Sequence, residues 1–159
     1  MRLFLIRHAQ AGDRRAGTRD RYRPLSPSGH ERARGIADLL AATGIGAILS
    51  SPATRCVQTV DPLAVRLGLT VAEDDALWEG SAVESALAAV VVAGHRTVVA
   101  CSHGDLIPEI IETVAHSGAT IRGRGCAKGS IWVVDGKPGR WSSARYLDRS
   151  ATEVPPPIS

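Results

Sequence analysis

Residues 3–12 read LFLIRHAQAG: four apolar residues, then an arginine beside a histidine, then small residues and a glycine. Leu3 to Ile6 has the length and composition of a buried strand, and Arg7 and His8 stand where that strand ends. A strand that only needs to stop can do so with Gly, Asn or Asp, which turn the chain without bringing charge to the edge of a core. Arg7 and His8 therefore need a chemical reason.

The pattern recurs twice. The stretches AILSSPATR (47–55) and TVVACSH (97–103) each place a basic residue at or just past the end of an apolar run. In an open parallel sheet the carboxyl ends of the strands share one edge, and ligands bind there. Arg7, His8, Arg55 and His103 are thus expected to converge from distant parts of the chain.

Helical patterns separate the runs. Ser28 and Glu31 have capping-box spacing ahead of Ala33, Ile36, Ala37 and Leu40, with Gly44 as the stop. Val57, Val60, Leu63, Ala64 and Leu67 mark a second helix closed by Gly68, which Pro62 is expected to kink or split. Leu69 to Val71 is a weaker strand candidate, Ser81 to Ala93 an Ala- and Val-rich helix, and Leu106 to Ala115 a helix following Gly104. GSIWVVDGKPGRWSSARYL (129–147) reads as two strands around a Gly- and Pro-containing turn, adding an antiparallel edge. The alternation predicts an α/β three-layer sandwich: a mostly parallel central sheet with helices on both faces and an antiparallel edge strand. Residues 1–147 form this domain, and DRSATEVPPPIS (148–159) is expected to be a flexible Pro-rich tail.

A chain of 159 residues fits one domain and can bury well over half of its unfolded surface. Its three cysteines are an odd number with no CxxC pair, which points to reduced thiols in the cytoplasm. The first apolar run is too short for a signal peptide or a membrane span, so no membrane partner is expected. The formal charge is only +3, but GDRRAGTRDRYR (12–23) packs five arginines into one segment directly after His8. That segment is either a solvated loop or a rim that attracts an anionic substrate. Nucleic acid is not expected as a partner, because aromatics make up 4% of the chain and only Tyr22 interleaves with these arginines.

Two guanidinium groups and two imidazoles repel a metal cation, and no carboxylate stands at ligand spacing beside His8 or His103, so no metal or other cofactor is expected. A phosphoryl group fits. Guanidinium forks match its oxygens bidentately, and Gly104 at a helix start can offer a backbone N–H. Each cation–anion contact at ~4 Å contributes of order 4 kcal/mol before desolvation at an effective dielectric near 20. GRGCAKGS (123–130) lacks P-loop order, and no arginine lies six residues after any cysteine, as a phosphate-loop thiol would need. The remaining nucleophile is a histidine, whose neutral imidazole is reactive near pH 7.

LIRHAQAG (5–12), SSPATRCVQT (50–59), LWEG (77–80) and VVACSHGD (98–105), in this order and at these intervals, resemble the histidine phosphatase superfamily over most of residues 2–134. The short length resembles its SixA-type phosphohistidine phosphatases. KGSIWVV (128–134) is also similar to the phosphatase-like domain that follows a Nudix domain in some nucleotide-cleansing hydrolases, although no Nudix signature occurs here. The resemblance implies that His8 is a nucleophile that becomes phosphohistidine, with Arg7, Arg55 and His103 forming the phosphate pocket. It nominates Glu79 as proton donor, with Asp74, Asp75 and Asp13 as substitutes. Ala9 replaces the glycine of the family signature, for which a slightly altered turn is expected. Lys128 is either a substrate contact or a surface lysine. The function implied is a metal-independent phosphatase acting on phosphomonoesters or phosphohistidine. Its substrate is a phosphorylated small molecule, a nucleotide or a phosphohistidine protein, and Arg14 and Arg15 are further contacts for a substrate of higher charge. Two alternatives stand beside it: a non-catalytic phosphate-sensing or phosphoprotein-binding module, and a phosphomutase.

Overall fold

Strand β1 (Arg2–Arg7) sends Leu3 and Leu5 to one face and Phe4 and Ile6 to the other, and all four are buried. A strand apolar on both faces must be covered on both. In the computed structural model, which describes residues 1–157, that cover comes from two pairs of helices. The elements that follow β1 are α1 (Pro27–Leu40), β2 (Ala47–Ser50), α2 (Thr54–Leu67), β3 (Val71–Glu73), α3 (Val83–Val92), β4 (Thr97–Ser102), α4 (Leu106–His116), β5 (Thr120–Arg122), β6 (Ile131–Lys137) and β7 (Arg140–Leu147). Phe4, Ile6, Val99 and Val133 pack against Ile36 and Leu40 of α1 and Val60 and Leu63 of α2. Leu3, Leu5, Val98 and Val134 pack against Ala86 and Val90 of α3 and Leu106 and Ile110 of α4. The three-layer α/β sandwich read from the sequence is the architecture observed. No helix among the described residues is long and apolar enough to cross a membrane.

The seven strands form one sheet in the order β3-β2-β4-β1-β6-β7-β5. β3, β2, β4 and β1 run parallel to one another, and β6 lies antiparallel beside β1. The hairpin β6–β7 was expected at the edge; it is instead followed outward by β5, a three-residue strand parallel to β7 that hydrophobic pattern did not reveal. Gly139 closes the hairpin with φ near 75°, a conformation costly for any residue with a Cβ.

Three local expectations are corrected. Helix α1 is capped by Ser26, whose Oγ accepts from Gly29 N at 3.1 Å, and not by a Ser28–Glu31 box. Pro27 takes the first helical position, where its missing N–H costs nothing, and this fixes the cap one residue before it. Pro62 does not split α2 into two elements; the helix runs through it, anchored on both sides by buried Thr59, Val60, Leu63 and Ala64. The strand expected at Leu69–Val71 begins at Val71, because Leu69 N–H is used to close α2 by donating to Ala64 O at 2.9 Å.

The segment after 147, read as a flexible tail, makes contacts with the domain at residues 154, 155 and 156. Val154 packs on the α1–α2 side, Arg2 Nη1 donates to Pro155 O at 3.0 Å and Arg145 Nη2 to Pro156 O at 2.6 Å. Residues 158 and 159 of that segment fall outside the described residues. Asp135 organises this corner: both of its oxygens accept from Arg2, at 2.7 and 2.9 Å, and Arg145 Nη2 lies 3.4 Å away. Replacing Asp135 by Ala leaves two largely buried arginines without their carboxylate and should cost about 3 kcal/mol. In urea unfolding this reads as a lower midpoint at unchanged slope.

Candidate active site

Register assembles the site. Arg7 pairs with Ser102 and Ser50 with Cys101, so β1, β4 and β2 finish together at one edge of the sheet. The next residues out are His8, His103 and Ser51. His8 N–H donates to Ser102 O at 3.1 Å and Ser51 N–H to Cys101 O at 2.9 Å, extending the ladder beyond the strands. The two imidazoles meet edge to face with centroids 5.5 Å apart.

His8 Nδ1 lies 2.8 Å from its neighbour's carbonyl, Ala9 O. A carbonyl can only accept, so Nδ1 carries the proton and Nε2 keeps the lone pair. Burial lowers the His8 pKa from 6.5 to about 4, against the opposing bond to Ala9, and the charges of Arg55, His103 and Arg7 push the same way as burial. His8 is a neutral imidazole at neutral pH. Ala9 N–H donates to Thr59 Oγ1 at 3.0 Å, and Thr59 Oγ1 donates to Arg55 O at 2.7 Å, which ties the turn after His8 to the helix that carries Arg55. The Ala9 methyl is fully buried with Leu25 and Ala33, and no residue other than glycine has positive φ among the described residues, so this turn does not require glycine.

Arg55, in the first turn of α2, is only 2% exposed. Its Nη1 donates to Asp20 O at 2.9 Å, and its Nη2 lies 3.3 Å from the Asp20 carboxylate, 3.7 Å from that of Glu79 and 3.5 Å from His103 Nδ1. His103 Nε2 lies 2.8 Å from Ser51 Oγ, and its Nδ1 faces the Arg55 guanidinium at 3.5 Å. Arg7 Nη1 donates to Cys126 O at 2.6 Å. Nε of both Arg7 and Arg55 is buried without an acceptor among the described residues. Gly104 is there for space: a Cβ on it would sit 2.6 Å from the Arg7 guanidinium carbon.

These residues wall a cavity of about 480 Å³. Arg7, His8, Arg55, Glu79, His103 and Gly104 all line it, as do Arg14 and Lys128. Arg15 does not; it lines a neighbouring concavity together with Asp13. Asp74 accepts from Ala76 N at 2.8 Å as the cap of a short turn, and neither it nor Asp75 reaches the cavity, which leaves Glu79 as the nominated carboxylate that does. Sequence reading missed Asp20, Ser51 and Thr59, and placed Arg23 only within the basic segment. Ser51 and Thr59 lie within the SSPATRCVQT stretch, so that motif was the available signal; Asp20 and Arg23 had none beyond their loop's charge. Among the described residues no cluster of His, Cys, Asp or Glu could hold a metal ion.

Residues 3–84 match the model of the histidine phosphatase superfamily, branch 1. The chain belongs to that superfamily. An 8-oxo-(d)GTP phosphatase of Mycolicibacterium smegmatis is 32% identical over 153 residues, covering 91% of this chain and 47% of the relative. The chain thus spans about half the length of that curated relative. Among solved structures, a protein provisionally named phosphohistidine phosphatase SixA from Agrobacterium tumefaciens superposes with TM-score 0.75 at 26% identity, covering 92% of this chain and 97% of the other. A protein histidine phosphatase SixA complexed with tungstate matches in fold, with TM-score 0.73 at 22% identity over 92% of this chain and 94% of its own.

Two outcomes follow for this member of the superfamily. Gly104→Ala pushes the flexible end of Arg7 aside while leaving the backbone in place. Inorganic phosphate should then bind about tenfold more weakly, measured by calorimetry, with the thermal midpoint nearly unchanged. The second concerns pH. The folded state holds His8 below its ordinary pKa, so the unfolded chain takes up the proton first as pH falls. Stability is full above pH 6.5, declines by up to about 3 kcal/mol towards pH 4, and from this group falls no further below that. His8→Gln should flatten this part of the curve in urea titrations at stepped pH; an unchanged slope would contradict a buried neutral His8.

Proposed function

We propose that this chain hydrolyses phosphate monoesters by passing the phosphoryl group through Nε2 of His8. The observation that carries the reading is a neutral imidazole with its lone pair on Nε2, in one cavity with Arg7, Arg55 and His103. Nε2 attacks phosphorus in line. The N–P bond forms as the ester P–O bond breaks, and the electron pair leaves with the ester oxygen. The two arginines and His103 take up charge on the non-bridging oxygens, which is most of what phosphoryl transfer asks of a protein. Glu79, about half exposed and 3.7 Å from Arg55, gives the leaving oxygen its proton. Water then attacks phospho-His8, Glu79 recovers a proton from it, and inorganic phosphate leaves a neutral His8 behind.

The relatives support two substrate classes. The 8-oxo-(d)GTP phosphatase favours a nucleotide, and the SixA structures favour a phosphohistidine protein. Arg14 and Lys128 are the cavity residues placed to meet the part of the substrate beyond the transferred group. Three free cysteines, two of them buried, support a reducing cytoplasmic setting.

His8→Ala should abolish release of p-nitrophenol from p-nitrophenyl phosphate and with it an acid-labile phosphoenzyme trapped by rapid quench. Glu79→Gln should lower kcat about 10²- to 10⁴-fold on alkyl phosphates, whose leaving oxygen needs the proton, and far less on p-nitrophenyl phosphate. Full activity in His8→Ala overturns the mechanism.

A further inference from the structure

Beside the cavity that holds His8 lies a larger concavity of about 840 Å³, walled by the segment between β1 and α1. Arg14 and Arg23 line both spaces, so the two adjoin. Arg15 and Arg19 line only the outer one, together with apolar carbon from Ala11, Pro24 and Leu25. A space of this order is the size that encloses a small organic molecule.

Asp20 stands at the junction. Its Oδ1 accepts from Arg23 Nε at 2.9 Å and lies 3.7 Å from Arg14 Nε, while its Oδ2 lies 3.3 Å from Arg55 Nη2. The same three arginines line the His8 cavity. Burial opposes ionisation of Asp20, but the hydrogen bond from Arg23 and the charges of Arg55, Arg23 and Arg14 outweigh it and hold the carboxyl below its ordinary value. One carboxylate thus serves three guanidinium groups that would otherwise repel one another. A phosphate, with more charge and more oxygens, is the better partner for the outer two.

We infer that the outer concavity seats the remainder of an organic diphosphate, with its terminal phosphoryl group at His8 and its inner phosphate on Arg14 and Arg23. The inference rests on the phosphatase reading and narrows its substrate class. The organic part lies against Ala11, Pro24 and Leu25, with Arg15 and Arg19 facing its remaining polar atoms. Nε2 of His8 forms the bond to the terminal phosphorus as the bridging P–O bond breaks, and the electron pair leaves on the inner phosphate. Water then cleaves the N–P bond, so that diphosphate and water give monophosphate, inorganic phosphate and a proton. A phosphate is a far better leaving group than an alcohol, so this reaction needs little from a half-exposed Glu79. A phosphoprotein would reach His8 through the inner cavity alone and leave the outer space unused.

The test compares inorganic phosphate release from a nucleoside diphosphate, the matching monophosphate, p-nitrophenyl phosphate and a phosphohistidine peptide. The wild type should favour diphosphate over monophosphate in kcat/KM by about tenfold or more, the yield of one added charge-assisted contact. In the Arg15→Ser/Arg19→Ser double variant, whose changes are on the surface, KM for the diphosphate should rise about tenfold while p-nitrophenyl phosphate changes by less than about twofold. Asp20→Asn, which weakens the internal competitor, should lower KM for the diphosphate. Equal effects of the double variant on both substrates, or a preference for the monophosphate or the peptide, overturns the outer seat and leaves the phosphatase reading standing. Absence of phosphate release from every substrate overturns both.

Discussion

Like charges brought together away from bulk water repel, and this structure is organised around that fact. Two cations at ~4 Å cost about 4 kcal/mol at an effective dielectric of 20, and the cavity gathers Arg7, Arg55 and Arg23 around two imidazoles. Each nearby feature answers the repulsion. His8 stays uncharged because it is buried among these groups. Carbonyls of Cys126 and Asp20 accept from Arg7 and Arg55, and the carboxylates of Asp20 and Glu79 face Arg55. A carboxylate can soften the field without matching it, because a tetrahedral oxyanion offers more acceptors in more directions.

The arginines are held by the backbone and not by one another. Arg55 rides on the first turn of α2, and Arg7 ends β1 where the loop before β6 folds back, with Gly129 N–H donating to the carbonyls of Arg7 and His8 at 3.1 Å. Arg32 steadies that loop through a bond from Nε to Gly129 O at 2.9 Å. Ser51 and Thr59 hold, respectively, one imidazole and the turn that follows the other. The chemistry therefore depends on hydroxyls that never touch the cavity's centre.

Much of this was legible in the chain. The convergence of Arg7, His8, Arg55 and His103 could be read because each lies at or a few residues past the end of an apolar run, and buried parallel strands leave little choice about where their ends lie. Asp20 could not be read, because it sits in a charge-dense loop with no periodicity and meets Arg55 across 35 residues. The cap of α1 was misplaced because Ser28 and Glu31 satisfy a local spacing, whereas Pro27 decides which serine precedes the helix. Pro62 was overrated as a breaker: one lost N–H is a local cost, while burial of an entire helix face is a collective gain. β5 escaped notice because three residues, two of them exposed, have no pattern to detect.

The alternation along β1 places a demand on how the chain can change. Its odd and even residues serve opposite hydrophobic layers, and the residue just past its end delivers the imidazole, so composition inside the strand can drift only by swaps that preserve both volume and side. An insertion or deletion there would turn both layers inside out and carry His8 along the sheet by about 3.3 Å, out of reach of its partners. Variation is therefore channelled to places such as Val65 on α2 and Val92 on α3, whose side chains face water and bear on neither layer. Length along β1 is the quantity this domain has least freedom to alter.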